Sequence, residues 1–374
     1  MSKDTSSLVP GPSSLPLRDK ISQWVRPEII ALDAYQVPDA SGLIKLDAME
    51  NPYTWPEELV SQWLQLLRQA ELNRYPDPAA NALRQRLRSA MNVPQGAEVL
   101  LGNGSDELIQ MILMALAGEK RVVLSAEPGF VMYHMIATFT GMQYVGVPLD
   151  DDFSLDQAAM LAAIAQHQPA VVFLAYPNNP TGNLFDEADI EAIIEAAPGI
   201  VIIDEAYHAF ADRSFMPKVM DYDNLLVMRT VSKMGLAGLR LGLLVGNPAW
   251  LNEFDKVRLP YNINVLTQIS ADFALQHSDV LHQQTEQIKQ DRQVLFDTLQ
   301  QFETLSVYPS QANFILFRTV PNQAEAIFAR LKKQGVLIKN LHKAGGMLTD
   351  CLRVTVGKQE ENTAFLNALR QNLA

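Results

Sequence analysis

Residues 99–118 read VLLGNGSDELIQMILMALAG, an apolar run that ends in a glycine loop and continues as a helical stretch. Glycines let the backbone approach an anion, and a helix N-terminus offers unpaired N–H groups and a favourable dipole. An ordinary turn capped by Ser105 or Asp106 fits the same residues. Outward from this unit, short and nearly continuous apolar runs recur at 122–124, 143–147, 170–175, 200–204, 225–229 and 241–245. A strand buried on both faces reads that way. Helical patterns at 57–71, 79–91, 156–166 and 186–197 lie before and among them. Strands alternating with helices predict an α/β fold, with a mostly parallel central sheet flanked by helices.

The pattern changes after residue 262. A long helical stretch runs to about 300, then strand signals at 314–317, 336–339 and 352–356 stand between helices near 322–334 and from 359. This predicts a smaller α/β C-terminal domain. The expected division is 1–46 (N-terminal arm and small-domain segment), 47–262 (large domain) and 263–374 (small domain). The first 16 residues are rich in Ser and Pro and read as a mobile arm.

The chain has 374 residues, 48% of them hydrophobic and 19% charged, which suits an enzyme with a full core. A formal net charge of −12 disfavours nucleic acid and anionic membranes as partners. The single cysteine, Cys351, rules out an intrachain disulfide and a multi-cysteine metal site; no metal is expected. The reading places the protein in a reducing cytoplasm, with neither a signal peptide nor a membrane span.

Three further stretches carry candidate chemistry. YPNNPTG at 176–182 follows a strand directly, where open α/β sheets bind ligands, though turn chemistry alone could explain it. IVIIDEAYHAF at 200–210 ends an apolar strand on Asp204, with Tyr207 three residues on. A carboxylate there needs a cation or strong hydrogen bonds, unless it only caps a turn. RTVSKMGLAGLRLG at 229–242 sets Lys233 after Thr230 and Ser232, with Arg240 seven residues later. A desolvated lysine is a nucleophile, and two hydroxyls with a guanidinium suit a phosphate; a solvated loop lysine is the plain alternative. Together these residues meet the needs of pyridoxal phosphate: an amine for its aldehyde, an acid for its ring nitrogen, and donors for its phosphate and phenolate.

With these motifs in place, the chain resembles the fold-type I aminotransferases over about residues 25–370. MENPY (49–53), GNGSDE (102–107), YPNNPTG, DEAY (204–207), SK (232–233) and GLAGLR (235–240) carry the likeness. NRYPDP (73–78) and CLRVTVG (351–357) narrow it to the histidinol-phosphate aminotransferase family. The resemblance implies transamination of histidinol phosphate with 2-oxoglutarate, giving imidazole acetol phosphate and glutamate in histidine biosynthesis. Other readings on the same scaffold are an aromatic or broad-specificity aminotransferase and a decarboxylase of a phosphorylated amino acid. A non-catalytic cofactor-binding protein is the reading of another class.

The resemblance also implies residue roles. Lys233 bonds the cofactor as a Schiff base, Asp204 pairs with its ring nitrogen, and Asn179 and Tyr207 hydrogen-bond its ring oxygen. Phe130 stacks on the ring. Gly104, Ser105, Asp106, Thr230, Ser232 and Arg240 hold the phosphate, with Tyr75 reaching across from the neighbouring subunit of a homodimer. Arg353, helped by Lys339, Tyr35 and Asn51, binds the small-molecule substrates. Two departures stand out. Many relatives have eight residues from the lysine to the phosphate arginine, against seven from Lys233 to Arg240. Lys339 stands where some relatives place a second arginine, and lysine cannot make that residue's planar two-pronged contact.

Overall fold

The computed structural model describes residues 16–34 and 36–373 and divides into two compact units, residues up to Asp39 and Ala40–Ala374. The first unit carries the helices Leu17–Trp24 and Pro27–Ile30. Residues 1–15 of the expected arm, and Tyr35, lie outside the described residues.

The second unit is built on a seven-stranded sheet. Its order is Glu98–Gly102, Gly242–Gly246, Leu225–Thr230, Ile200–Asp204, Val171–Ala175, Val122–Glu127 and Gln143–Pro148. Only Gly242–Gly246 runs against the others, pairing antiparallel with both neighbours. Strand residues alternate between two cores. Leu124, Val172, Leu174, Val201, Ile203, Val227 and Val245 enter one, while Val123, Val171, Phe173, Ile202, Met228 and Leu244 enter the other. That alternation explains the continuous apolar runs, because each face needs its own apolar residues. Helices Ser105–Leu116, Met132–Thr140 and Pro248–Asp255 cover the second face. Helices Asn81–Ala90, Gln157–His167, Glu187–Ala196 and Val265–Gln276 cover the first.

A four-stranded antiparallel sheet, in the order Lys339–Asn340, Cys351–Thr355, Phe314–Arg318 and Ser306–Val307, has a separate core. Phe314, Ile315, Phe317, Leu331, Val354 and Phe365 fill it. The expected strand at 336–339 is two strands. Val336–Leu337 pairs in parallel with Ile44–Lys45, whereas Lys339–Asn340 pairs with Cys351–Thr355. The chain changes partner at Ile338, which stays buried. The long helical stretch expected to about 300 is two helices, Val265–Gln276 and Ser278–Leu299, which meet at His277. Ahead of the break Ala271, Ala274 and Leu275 face the large sheet's core; beyond it Leu281 still does, but Ile288, Leu295 and Leu299 belong to the small core. Two apolar directions cannot share one straight helical stripe. Among the described residues, no helix is long and apolar enough to cross a membrane.

Candidate active site

The carboxyl ends of three neighbouring parallel strands set out the site. Val171–Ala175 leads into the Asn179 turn, Ile200–Asp204 ends on Asp204, and Leu225–Thr230 leads into Ser232 and Lys233. Register fixes them relative to one another, with Ala175 opposite Asp204 and Asp204 opposite Met228. Ser105, Asp106, Phe130, Asn179, Asp204, Tyr207, Thr230, Ser232, Lys233 and Arg240 all line one cavity, together with Met49, Ala175 and Ala206.

Gly104 is the N-cap of helix Ser105–Leu116, at φ 88°, and no side chain caps that helix. Ser105 and Asp106 lie inside the first turn, so neither is the cap. By contrast, Asp156 and Asp186 accept hydrogen bonds from the first turns of their helices. Gly242 presses against this loop: an added Cβ would lie 2.7 Å from the Gly104 carbonyl carbon and 2.8 Å from Ser105 N. A side chain there would displace the loop. The Thr230 hydroxyl donates to the Leu241 carbonyl at 3.0 Å and accepts from Ser232 Oγ at 2.8 Å. Arg240 is half-exposed at the rim, 3.6 Å from Asp106 Oδ2. Backbone N–H groups, two hydroxyls and a guanidinium thus converge on one end of the cavity. That end can take a phosphate.

Asp204 is 4% exposed. Its Oδ2 accepts from the Tyr133 hydroxyl at 2.8 Å, and Oδ1 from Ala206 N at 3.0 Å. Burial pushes the carboxyl up to about 6, against the opposing pull of those two bonds. The anion therefore lacks a full counter-charge, and a cation in the cavity would relieve it. Its neighbour Glu205 is fully buried but satisfied, paired with Arg229 at 2.8 Å and bonded by Ser214 and Phe215 N. That pair ties together the ends of the strands carrying Asp204 and Thr230.

Lys233 is half-buried; its Nζ bonds the Ala48 carbonyl at 3.3 Å and lies 5.7 Å from the Tyr207 ring centre. Burial, then the Arg353 charge, lowers its amine to about 8. It is not the solvated loop lysine of the plain alternative. An amine so shifted is neutral, and nucleophilic, in a useful fraction near pH 7.

Arg353 comes from the small sheet and is 5% exposed. It donates to Asn179 Oδ1 and, at 3.1 Å, to the Asp47 carbonyl, over the Phe314 ring. Lys339 stands opposite Arg353 in register, its amine lowered by burial and by that guanidinium. Asn51 is not on the cavity wall: it bonds the Met234 carbonyl and Gln284, bracing the lysine loop from an adjoining pocket. Tyr75 is elsewhere on the chain, 80% exposed and stacked on Tyr261 at 4.4 Å.

Sequence reasoning missed Tyr133, which holds Asp204 from behind the cavity. Its only signal was position, three residues after Phe130, and that becomes informative once the segment is known to be helical. Missed too was the Ala48–Met49 backbone, which supplies the lysine's acceptor.

The aminotransferase class I and II family model matches residues 41–369. Histidinol-phosphate aminotransferase 2 of Nitrosococcus oceani is 62% identical over 353 residues, 94% of this chain and 98% of the relative. Histidinol-phosphate aminotransferase 1 of Ralstonia nicotianae is 52% identical over 96% of each chain. The crystal structure of histidinol-phosphate aminotransferase from Sinorhizobium meliloti in complex with pyridoxal-5'-phosphate superposes with a TM-score of 0.84 at 25% identity, covering 93% of this chain and 96% of that one. The chain belongs to the class I and II aminotransferases and, among them, to the histidinol-phosphate aminotransferase family.

Proposed function

We propose that the protein transfers the amino group of histidinol phosphate to 2-oxoglutarate, with pyridoxal phosphate held by Lys233, Asp204 and the Gly104–Ser105 loop. The observation that carries this reading is one cavity lined by a lysine, a buried carboxylate and an uncapped helix N-terminus. These residues fit the cofactor. Its ring nitrogen answers Asp204, whose charge burial disfavours. Its phosphate suits the loop that Gly242 keeps open. Bound there, the cofactor supplies an electron sink for the carbon that loses its proton.

The chain's own residues do the rest. Asp204 keeps a positive charge on the ring nitrogen. Asn179 and Tyr207 would hydrogen-bond the ring oxygen, and Phe130 would stack on the ring; all three line the cavity. With the cofactor bound, Lys233 Nζ would carry the proton from the substrate's amine-bearing carbon. Arg353, with Lys339, meets the acidic end: the phosphate of one substrate and the carboxylate of the other. Tyr35 and Asn51 remain candidate contributors, Asn51 through its brace on the lysine loop.

A homodimer with composite sites belongs to the same proposal. Tyr75, Leu72, Leu259 and Tyr261 expose apolar surface on one chain, and such patches mark interfaces. A cytoplasmic location accords with a lone, buried and unpaired Cys351.

The test is a half-reaction panel of amino donors, following the cofactor's absorbance and identifying products. Histidinol phosphate should react at least about tenfold more efficiently than unphosphorylated histidinol, the order of one lost charged contact. Equal use of the two would replace this reading with a broad-specificity aminotransferase.

A further inference from the structure

Tyr133 lies in the first turn of helix Met132–Thr140 and is wholly buried. Its hydroxyl donates to Asp204 Oδ2 at 2.8 Å. Its ring stacks on Phe173 of the central sheet, centres 4.6 Å apart and planes 12° from parallel. The same ring meets Phe130 edge-on at 5.5 Å and 87°. One side chain thus touches both the carboxylate and the aromatic ring on the cavity wall, without lining the cavity itself. A tyrosine kept only for packing could donate to any acceptor; this one donates to the carboxylate that faces the cavity.

We propose that Tyr133 is a positioning residue that aims Asp204 at the cofactor's ring nitrogen and keeps it a carboxylate. This rests on the function proposed above. Each Asp204 oxygen receives one neutral donor, Tyr133 on Oδ2 and the Ala206 amide on Oδ1. Rotation of the carboxylate would break both bonds. The groups that act on Asp204 from elsewhere are Asp106 and Glu205, both of which favour its protonated form. Around the phenol lie Tyr144 and Tyr207. Burial, then the Asp204 charge, pushes the phenol well above its ordinary range, so it remains a donor throughout the working pH range. Without the phenol's donation, Asp204 becomes more basic and competes for the ring-nitrogen proton.

The experiment uses holoenzyme loaded with 15N-labelled pyridoxal phosphate and follows the ring-nitrogen resonance against pH. Tyr133→Phe keeps the ring and removes the hydroxyl. At fixed pH near 7 the ring-nitrogen resonance should move towards its unprotonated position as the proton passes to Asp204, and the cofactor Kd should rise about tenfold, the scale of one bond to a charged group. kcat should fall with little change in KM. The second variant is Tyr133→Phe in an Asp204→Ala background. There the buried hydroxyl has lost its acceptor, so its removal should leave the cofactor Kd unchanged and should not lower Tm. An unchanged resonance and Kd in the single variant overturn the proposal. So does equal damage in the two backgrounds, including failure of both proteins to fold, which would make Tyr133 structural only. Failure of wild type to bind pyridoxal phosphate would instead overturn the function proposed above.

Discussion

Asp204, Thr230 and Lys233 sit at the ends of parallel strands bonded on both sides, whereas Arg353 and Lys339 sit on a four-stranded antiparallel sheet with its own core. The first group is held by strand register and by the buried Glu205–Arg229 pair. The second is joined to the cavity wall by Arg353, which bonds Asn179 and also the Asp47 carbonyl. The contrast divides the labour. In the proposed function, residues on the large sheet's edge hold the cofactor and do the chemistry. In the same proposal, residues on the small sheet read the substrate's acidic end.

The largest effect should come from the large sheet's edge. Lys233→Ala should fold and bind cofactor weakly, yet lose at least about 10³-fold in single-turnover transamination, because it removes both the covalent anchor and the proton carrier. Mixed with Tyr75→Phe it should regain activity, since one site of each heterodimer lacks both defects. No recovery would remove Tyr75 from the composite site.

Changes on the small sheet should cost less and act on substrate. Arg353→Ala should weaken both half-reactions by roughly 2–5 kcal/mol, the penalty of truncating a buried charged contact. The cofactor Kd should stay nearly constant. Lys339→Ala should impair chiefly the phosphorylated substrate, by about tenfold or less, since a lone ammonium makes a weaker contact than a guanidinium fork. Loss of cofactor on substitution of Arg353 would erase the division between the two sheets.

A further effect concerns stability without cofactor, and its sign is reversed. The folded Asp204 carboxyl is raised from 3.8 to about 6, so the folded state binds its proton more tightly than the unfolded chain does. Stability from this group is therefore lost as pH rises from about 4 to about 6, and stays lost above. Cofactor-free Asp204→Asn should be the more stable protein at pH 7, by on the order of 1–3 kcal/mol, while binding cofactor less tightly. Lys233, lowered from 10.5 to about 8, works at the other end. Its burial penalty is present below about 8 and is relieved as pH rises towards 10.5. Urea titrations of the cofactor-free proteins at pH 4, 7 and 9.5 check both signs.

Much of the large sheet was legible because both of its faces are covered. Runs such as 200–204 have no polar residue until Asp204, and that first polar residue is the one at the cavity. The large sheet's edge could be read for the same reason, since a strand end followed by glycine, asparagine or lysine places those residues at the cavity. Less could be read wherever tertiary pairing overrules local pattern. Nothing in VLIKN tells that Val336–Leu337 and Lys339–Asn340 serve different sheets; only the partners Ile44–Lys45 and Cys351–Thr355 decide it. Nor does the sequence mark the break at His277, which the two cores impose. Tyr133 was hidden because an aromatic residue in a helix reads as core, and its hydroxyl gains meaning only when Asp204 is found opposite it.

The division between the sheets rests on the site of covalent attachment. Borohydride reduction of the holoenzyme, followed by proteolysis and mass spectrometry, locates the lysine that carries pyridoxal phosphate. The expected result is a single modified lysine, Lys233, with Lys339 unmodified. Modification at Lys339, or at no lysine, would contradict the assignment of the large sheet's edge as the seat of the chemistry.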